Sequence, residues 1–176
     1  MFDTILPYPL HPAVVHLPIA LTLLVPLFAI GALVVIRRGT RPLRAWGLAT
    51  ALFAALSLSA WAAVETGEEA DEQVEAVVAE APLATHEEAT ENFLRLSVIV
   101  LGVALVGLAS GRAGQAGRIA ATLGALVLVV AGWRVGHTGG ALVYQHGAAA
   151  AYVIDSTGAA GTSAAPAPST TTRERD

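Results

Sequence analysis

"HPAVVHLPIALTLLVPLFAIGALVVIRRGTRPLR" (His11–Arg44) is the stretch whose reading decides the fold. Between Asp3 and Arg37 the chain carries no charge, and no acidic residue follows Asp3 until Glu65. Such a run exceeds the ~20 residues that cross a ~30 Å hydrocarbon core as a helix rising ~1.5 Å per residue. It ends in four arginines, Arg37, Arg38, Arg41 and Arg44. A secretory signal would show a basic start, a short apolar core of about 7–15 residues and a small-residue cleavage site. Here the start holds only Asp3 and prolines, so the segment is expected to stay in the membrane as a helix.

Composition points the same way. The 176 residues are 55% hydrophobic and 14% charged, where a soluble domain holds roughly 25% charged residues. Four spans are expected, at about residues 12–36, 43–64, 86–110 and 118–138. The third apolar run begins only at Phe93, but "THEE" (Thr85–Glu88) fits a capping box just after Pro82 and sets the helix start near His86. "EEADEQVEAVVAE" (Glu68–Glu80) keeps helical spacing, with Val74, Val77 and Val78 on one face, so the second helix is expected to continue past the bilayer.

The loops Arg37–Arg44 and Gly111–Arg118 carry arginines, while Glu65–Asn92 is acidic. By the positive-inside rule the arginine loops are cytoplasmic and both termini lie outside. The expected fold is an all-α, four-helix up-and-down transmembrane bundle, residues 1–155, because backbone groups in lipid must be satisfied within helices. Residues 156–176, built from Ala, Pro, Ser, Thr and Gly, are expected to form a disordered outer-face tail. Gly102, Gly107, Gly124 and Gly132 would allow close helix packing.

Under this topology His11, His16, His86, His137 and His146 all fall at or beyond the outer face. Counting from the cytoplasmic arginines, His16, Glu65, Glu91 and His137 lie at nearly one depth, with His16 and His137 the best-matched pair. Arg95 and Arg134 fall just beneath, and an intramembrane arginine is a functional hypothesis by default. The alternative is an i, i+4 pair of Arg95 with Glu91 and snorkelling of both arginines.

Ligand chemistry narrows what such a layer could bind. The chain has no cysteine and its single methionine is Met1, which excludes covalent haem, thiolate clusters and blue-copper sites. Three readings stand side by side. A b-type haem would take His16 and His137, with His86 as substitute and Arg95 and Arg134 near the propionates. A mononuclear zinc, iron or copper site would use His16, His137, His86 and a carboxylate, Glu65 or Glu91. An interfacial histidine belt would bind nothing.

"LHPAVVHLPIAL" (Leu10–Leu21) and "GGALVYQHG" (Gly139–Gly147) resemble the opening and closing motifs of a bacterial membrane-protein family catalogued as domain of unknown function 2231. Leu17 stands where that family usually has phenylalanine, and alanines follow Gly147. The resemblance covers about residues 9–150 and implies a four-helix protein of the bacterial cytoplasmic membrane whose histidines are redox or haem ligands. His11 and His16 carry over from the first motif and His146 from the last; His86 and His137 rest on depth alone.

The expected function is thus outer-face haem binding for electron transfer or redox sensing, or else a non-catalytic membrane scaffold or subunit. Expected partners are the lipid bilayer, an outer-face redox protein such as a cytochrome steered by the acidic loop, and a second copy of the chain. Nucleic acid is excluded by the net charge of −4 and by arginines placed against the cytoplasmic leaflet, where anionic lipid is their expected partner. No serine lies near a histidine in a pattern that suggests hydrolysis.

Overall fold

The computed structural model describes residues 10–152, which among themselves form helices and short turns only. The elements are α1 (His11–Val14), α2 (His16–Arg37), α3 (Pro42–Val74), α4 (Glu80–Val106) and α5 (Gly111–Tyr144). Four helices are long and apolar enough to cross a membrane: His11–Arg37, Pro42–Asp71, Glu80–Val106 and Gly111–Tyr144. The expected tail at 156–176 lies outside the described residues.

Prolines and glycines set the helix boundaries. Pro12 opens α1, where a missing N–H costs little. Pro18 cannot donate to the Val14 carbonyl four residues back, and the helix parts there, at Val15. Gly39 takes φ +100°, ends α2 and turns the chain towards Pro42 at the start of α3.

The third crossing departs from expectation. Helix α4 begins at Glu80, ahead of His86, and Pro82 sits in its first turn, where N–H groups have no intrahelical acceptor to lose. The Thr85 hydroxyl donates to the Ala81 carbonyl at 2.8 Å inside the helix, so "THEE" is not a capping box.

Helix α3 has 33 residues, about 50 Å at the usual rise, against a ~30 Å core. Its acidic end beyond Val64 therefore stands outside the bilayer, as the spacing of its valines predicts. There Val74 and Val78 pack with Leu83, Leu142, Ala148 and Ala151 in a small cluster that ties together the acidic end of the bundle.

Each long helix packs on two neighbours, in the ring order α2, α3, α4, α5 and back to α2, while α1 lies on α3. Val25, Ala29, Trp46, Phe53, Leu56, Ala104, Ala121 and Leu128 fill the middle. Outside, Leu27, Ile99 and Val130 are more than 60% exposed, as lipid-facing side chains should be.

Close approach is concentrated on α5. A Cβ at Gly117 would meet Gly107 backbone nitrogen at 2.8 Å, and one at Gly124 would meet a Val100 methyl at 2.8 Å. Gly107 and Gly132 are also closely covered, by Trp46 and by Thr22 with Phe93. Gly102 is not a packing glycine, because nothing lies within 4 Å of where its Cβ would be.

The arginine end is tied by side chains to α4. Trp46 Nε1–H donates to the Ala104 carbonyl at 2.8 Å. Arg118, expected against the lipid leaflet, is instead buried and donates to the Gly107 carbonyl at 2.6 Å and, more weakly, to Ala109 at 3.4 Å. The last turn of α4 leaves carbonyls without helical donors, and the guanidinium fills that need.

Candidate functional site at the histidine end

The end of the bundle opposite the arginine loops holds two half-buried histidines in matching settings. His11, at the start of α1, places Nδ1 3.3 Å from Thr66 Oγ1 on α3. His86, on α4, places Nδ1 2.9 Å from Thr138 Oγ1 on α5. Each ring also lies over the glycine that follows its threonine. A Cβ at Gly67 would stand 3.2 Å from His11 Cε1, and one at Gly139 would stand 3.0 Å from His86 Cε1.

The threonines decide which ring nitrogen carries the proton. Thr138 donates its single hydroxyl proton to the Val135 carbonyl at 3.0 Å, or Arg134 at 3.2 Å. Thr66 does the same to Ala62 at 3.0 Å or Ala63 at 3.2 Å. A hydroxyl that donates to its own helix leaves its oxygen to accept, and that arrangement sets Nδ1 of the histidine as the N–H donor and leaves Nε2 its lone pair.

The other histidines stand apart from this pair. His16 and His137 are exposed, and His137 stacks on Trp133 with centroids 5.3 Å apart. The best-matched pair by depth is therefore not gathered inside the bundle. His146 is exposed in the turn after α5, where Gly147 at φ +72° brings the Ala148 N–H back to the Leu142 carbonyl.

Neither do the expected carboxylates converge on a histidine. Glu65 is exposed, and Glu91 pairs with Arg95 across one helical turn, both side chains more than half exposed. Arg134 is exposed as well. Among the described residues no three histidines, aspartates or glutamates group as a metal site.

Depth counting gives the height of a residue but not its direction. His16 and His11 differ by five positions, about 140° around a helix turning 100° per residue, so they cannot both face inward. Thr66 and Thr138 are each one residue beyond a member of the counted layer, and that one step turns them towards the histidines. Sequence reasoning passed over both threonines. A signal was present: "WAAVETG" (Trp61–Gly67) and "WRVGHTG" (Trp133–Gly139) share Trp-x-x-x-x-Thr-Gly.

An acidic group borders the pair on the extension beyond the bilayer. Asp71 hydrogen-bonds Glu87, the neighbour of His86 in sequence. Burial first, and then the charges of Glu87, Glu75 and Glu68, push the Asp71 carboxyl up to about 6. Serine hydroxyls have no part in the site. Ser59 and Ser97 donate to Leu56 and Leu94 carbonyls of their own helices, and buried Ser57 Oγ has no protein partner.

Four apolar crossings with a polar histidine end define an integral membrane protein of the helical-bundle class. Within that class, the family described as predicted membrane protein (DUF2231) matches residues 7–152, and the chain belongs to it. No curated protein and no solved structure matches the chain.

Proposed function

We propose that this protein binds one b-type haem at its histidine end, where His11 and His86 would hold it, for electron transfer or redox sensing. The observation that carries the reading is the matched pair of imidazoles, each with Nδ1 at hydrogen-bond distance from a threonine hydroxyl and its ring against the following glycine. Neutral imidazole held by a hydrogen bond at its other nitrogen is the usual state of a metal-bound histidine.

The number of protein ligands favours haem over a lone ion. A zinc site takes three or four protein ligands, and among the described residues no three histidines or carboxylates group together. Haem brings most of its iron ligands with it, so two imidazoles are all that the protein would need to supply. Bound there, the iron would supply one-electron chemistry at the membrane surface.

The histidine end lies outside the bacterial cytoplasmic membrane in this reading, since Arg37, Arg38, Arg41, Arg44 and Arg112 mark the opposite end as cytoplasmic. Asp71, Glu87, Glu75 and Glu68 then give the outer face a negative field suited to a basic redox partner.

The test is an absorption spectrum of the detergent-purified protein from cells supplied with haem precursor, oxidised and dithionite-reduced. The expected result is a Soret band with sharp reduced α and β bands near one haem per chain. His11→Ala and His86→Ala should each abolish that spectrum with insertion retained, whereas His16→Ala and His137→Ala keep it. A colourless wild-type protein without metal refutes the proposal and leaves a membrane scaffold.

A further inference from the structure

The Thr-Gly pairs are part of a longer correspondence. Trp61, Thr66 and Gly67 on α3 recur as Trp133, Thr138 and Gly139 on α5, 72 residues later (61 to 133). The same displacement takes buried Ala49, Thr50 and Leu56 to buried Ala121, Thr122 and Leu128. It also carries over a hydrogen bond: Thr50 Oγ1 donates to the residue 46 carbonyl at 3.0 Å and Thr122 Oγ1 to the residue 118 carbonyl at 2.8 Å.

Helices α1 and α2 correspond to α4 in the same way. A displacement of 75 residues takes His11 to His86, and buried Thr22, Val25 and Ala29 to buried Ser97, Val100 and Ala104. The outward residues follow too, since His16 maps to Glu91 and Glu65 to His137, all exposed. This is why those four lie at one depth.

Ring packing in the order α2, α3, α4, α5 fits a two-fold relation about an axis along the bundle, which exchanges α2 with α4 and α3 with α5. Under it, the contact of His11 with Thr66 and Gly67 becomes the contact of His86 with Thr138 and Gly139.

We infer that the chain is an internal duplication of a two-helix hairpin, and that each half holds one imidazole in an equivalent setting, pre-set by Thr66 or Thr138 with its Nε2 lone pair open to a ligand. The occupant this fits has two equivalent positions for neutral imidazole. It deepens the haem reading and rests on it for the identity of the occupant; the equivalence of the half-sites stands on the correspondence itself. Thr66 and Thr138 are positioning residues, acting through the rings they hold.

The test uses the full chain in detergent without added haem, its histidine rings labelled with 15N, at a pH where imidazole is neutral. The expected spectrum has two of the five histidines with the proton on Nδ1 and three with the solution-favoured Nε2–H form. Thr66→Val and Thr138→Val should each remove one Nδ1–H signal, and Thr→Ser at either position should restore it. In haemin titrations the two valine variants should weaken binding to the same extent, within about twofold.

Wild-type protein that takes up no haemin but shows both Nδ1–H rings overturns the haem reading alone. Two Nε2–H rings, or a response at one threonine and not the other, overturn the paired half-sites whatever the haem content.

Discussion

Gly139→Ala probes the histidine setting with a single added methyl group. Its Cβ would stand 3.0 Å from His86 Cε1 and 3.5 Å from both ring nitrogens. Carbon atoms rest at about 3.5–4.0 Å, so the ring must retreat by roughly 0.5 Å. The His86 to Thr138 hydrogen bond, now 2.9 Å, would stretch towards the limit of such bonds. Loss of one neutral hydrogen bond costs about 0.5–1.5 kcal/mol, and a half-buried bond belongs near the middle of that range. Gly136→Ala is the control, since it lies on the same helix with nothing within 4 Å of its Cβ. Both variants gain the same helix propensity, so their difference isolates the contact. Thermal unfolding in detergent should place Gly139→Ala below Gly136→Ala by about 1 kcal/mol, and haemin should bind it about fivefold more weakly. Equal stability and equal haemin affinity in the two variants would refute the reasoning that the glycine seats the ring.

Three further outcomes follow from the packing and the charges. Gly117→Ala should destabilise the bundle by about 1–3 kcal/mol, because the new methyl meets backbone of α4 that cannot rotate away, while Gly102→Ala should not; chemical unfolding in mixed micelles measures both. Ser57→Ala should raise stability by about 1 kcal/mol by removing a buried hydroxyl with no protein partner, and an unfolding midpoint below wild type contradicts this. Asp71, with its carboxyl raised to about 6, holds a proton in the fold that the unfolded chain would release near 4. Stability should therefore fall as pH rises from about 4 through 6, and Asp71→Asn should remove part of that slope in melting curves across the range.

Much of the architecture was legible because lipid leaves the backbone few choices. The charge-free run ending at Arg37, the paired arginine loops and the valine face of Glu68–Glu80 each translate directly into crossings and their extension. The start of α4 is hidden in the sequence for a local reason. Pro82 reads as a boundary, though a first turn tolerates proline, and Thr85 has a nearer acceptor in its own helix. Composition alone suggests Gly102 for packing, yet it sits on the outward face. Charge alone sets Arg118 against lipid, yet the exposed carbonyls at the end of α4 claim it.

By itself, then, the sequence determined that the chain crosses the membrane four times, where its charged ends lie, and that imidazole and carboxylate are the available ligand chemistry. Hydrophobic length and charge act along the chain axis, and a linear pattern records them. Tertiary structure alone decided which histidines turn inward, because direction around a helix changes by about 100° with every residue and depends on neighbours distant in sequence. Thr66 meets His11 across 55 positions and Thr138 meets His86 across 52, and only the assembled bundle brings those partners together.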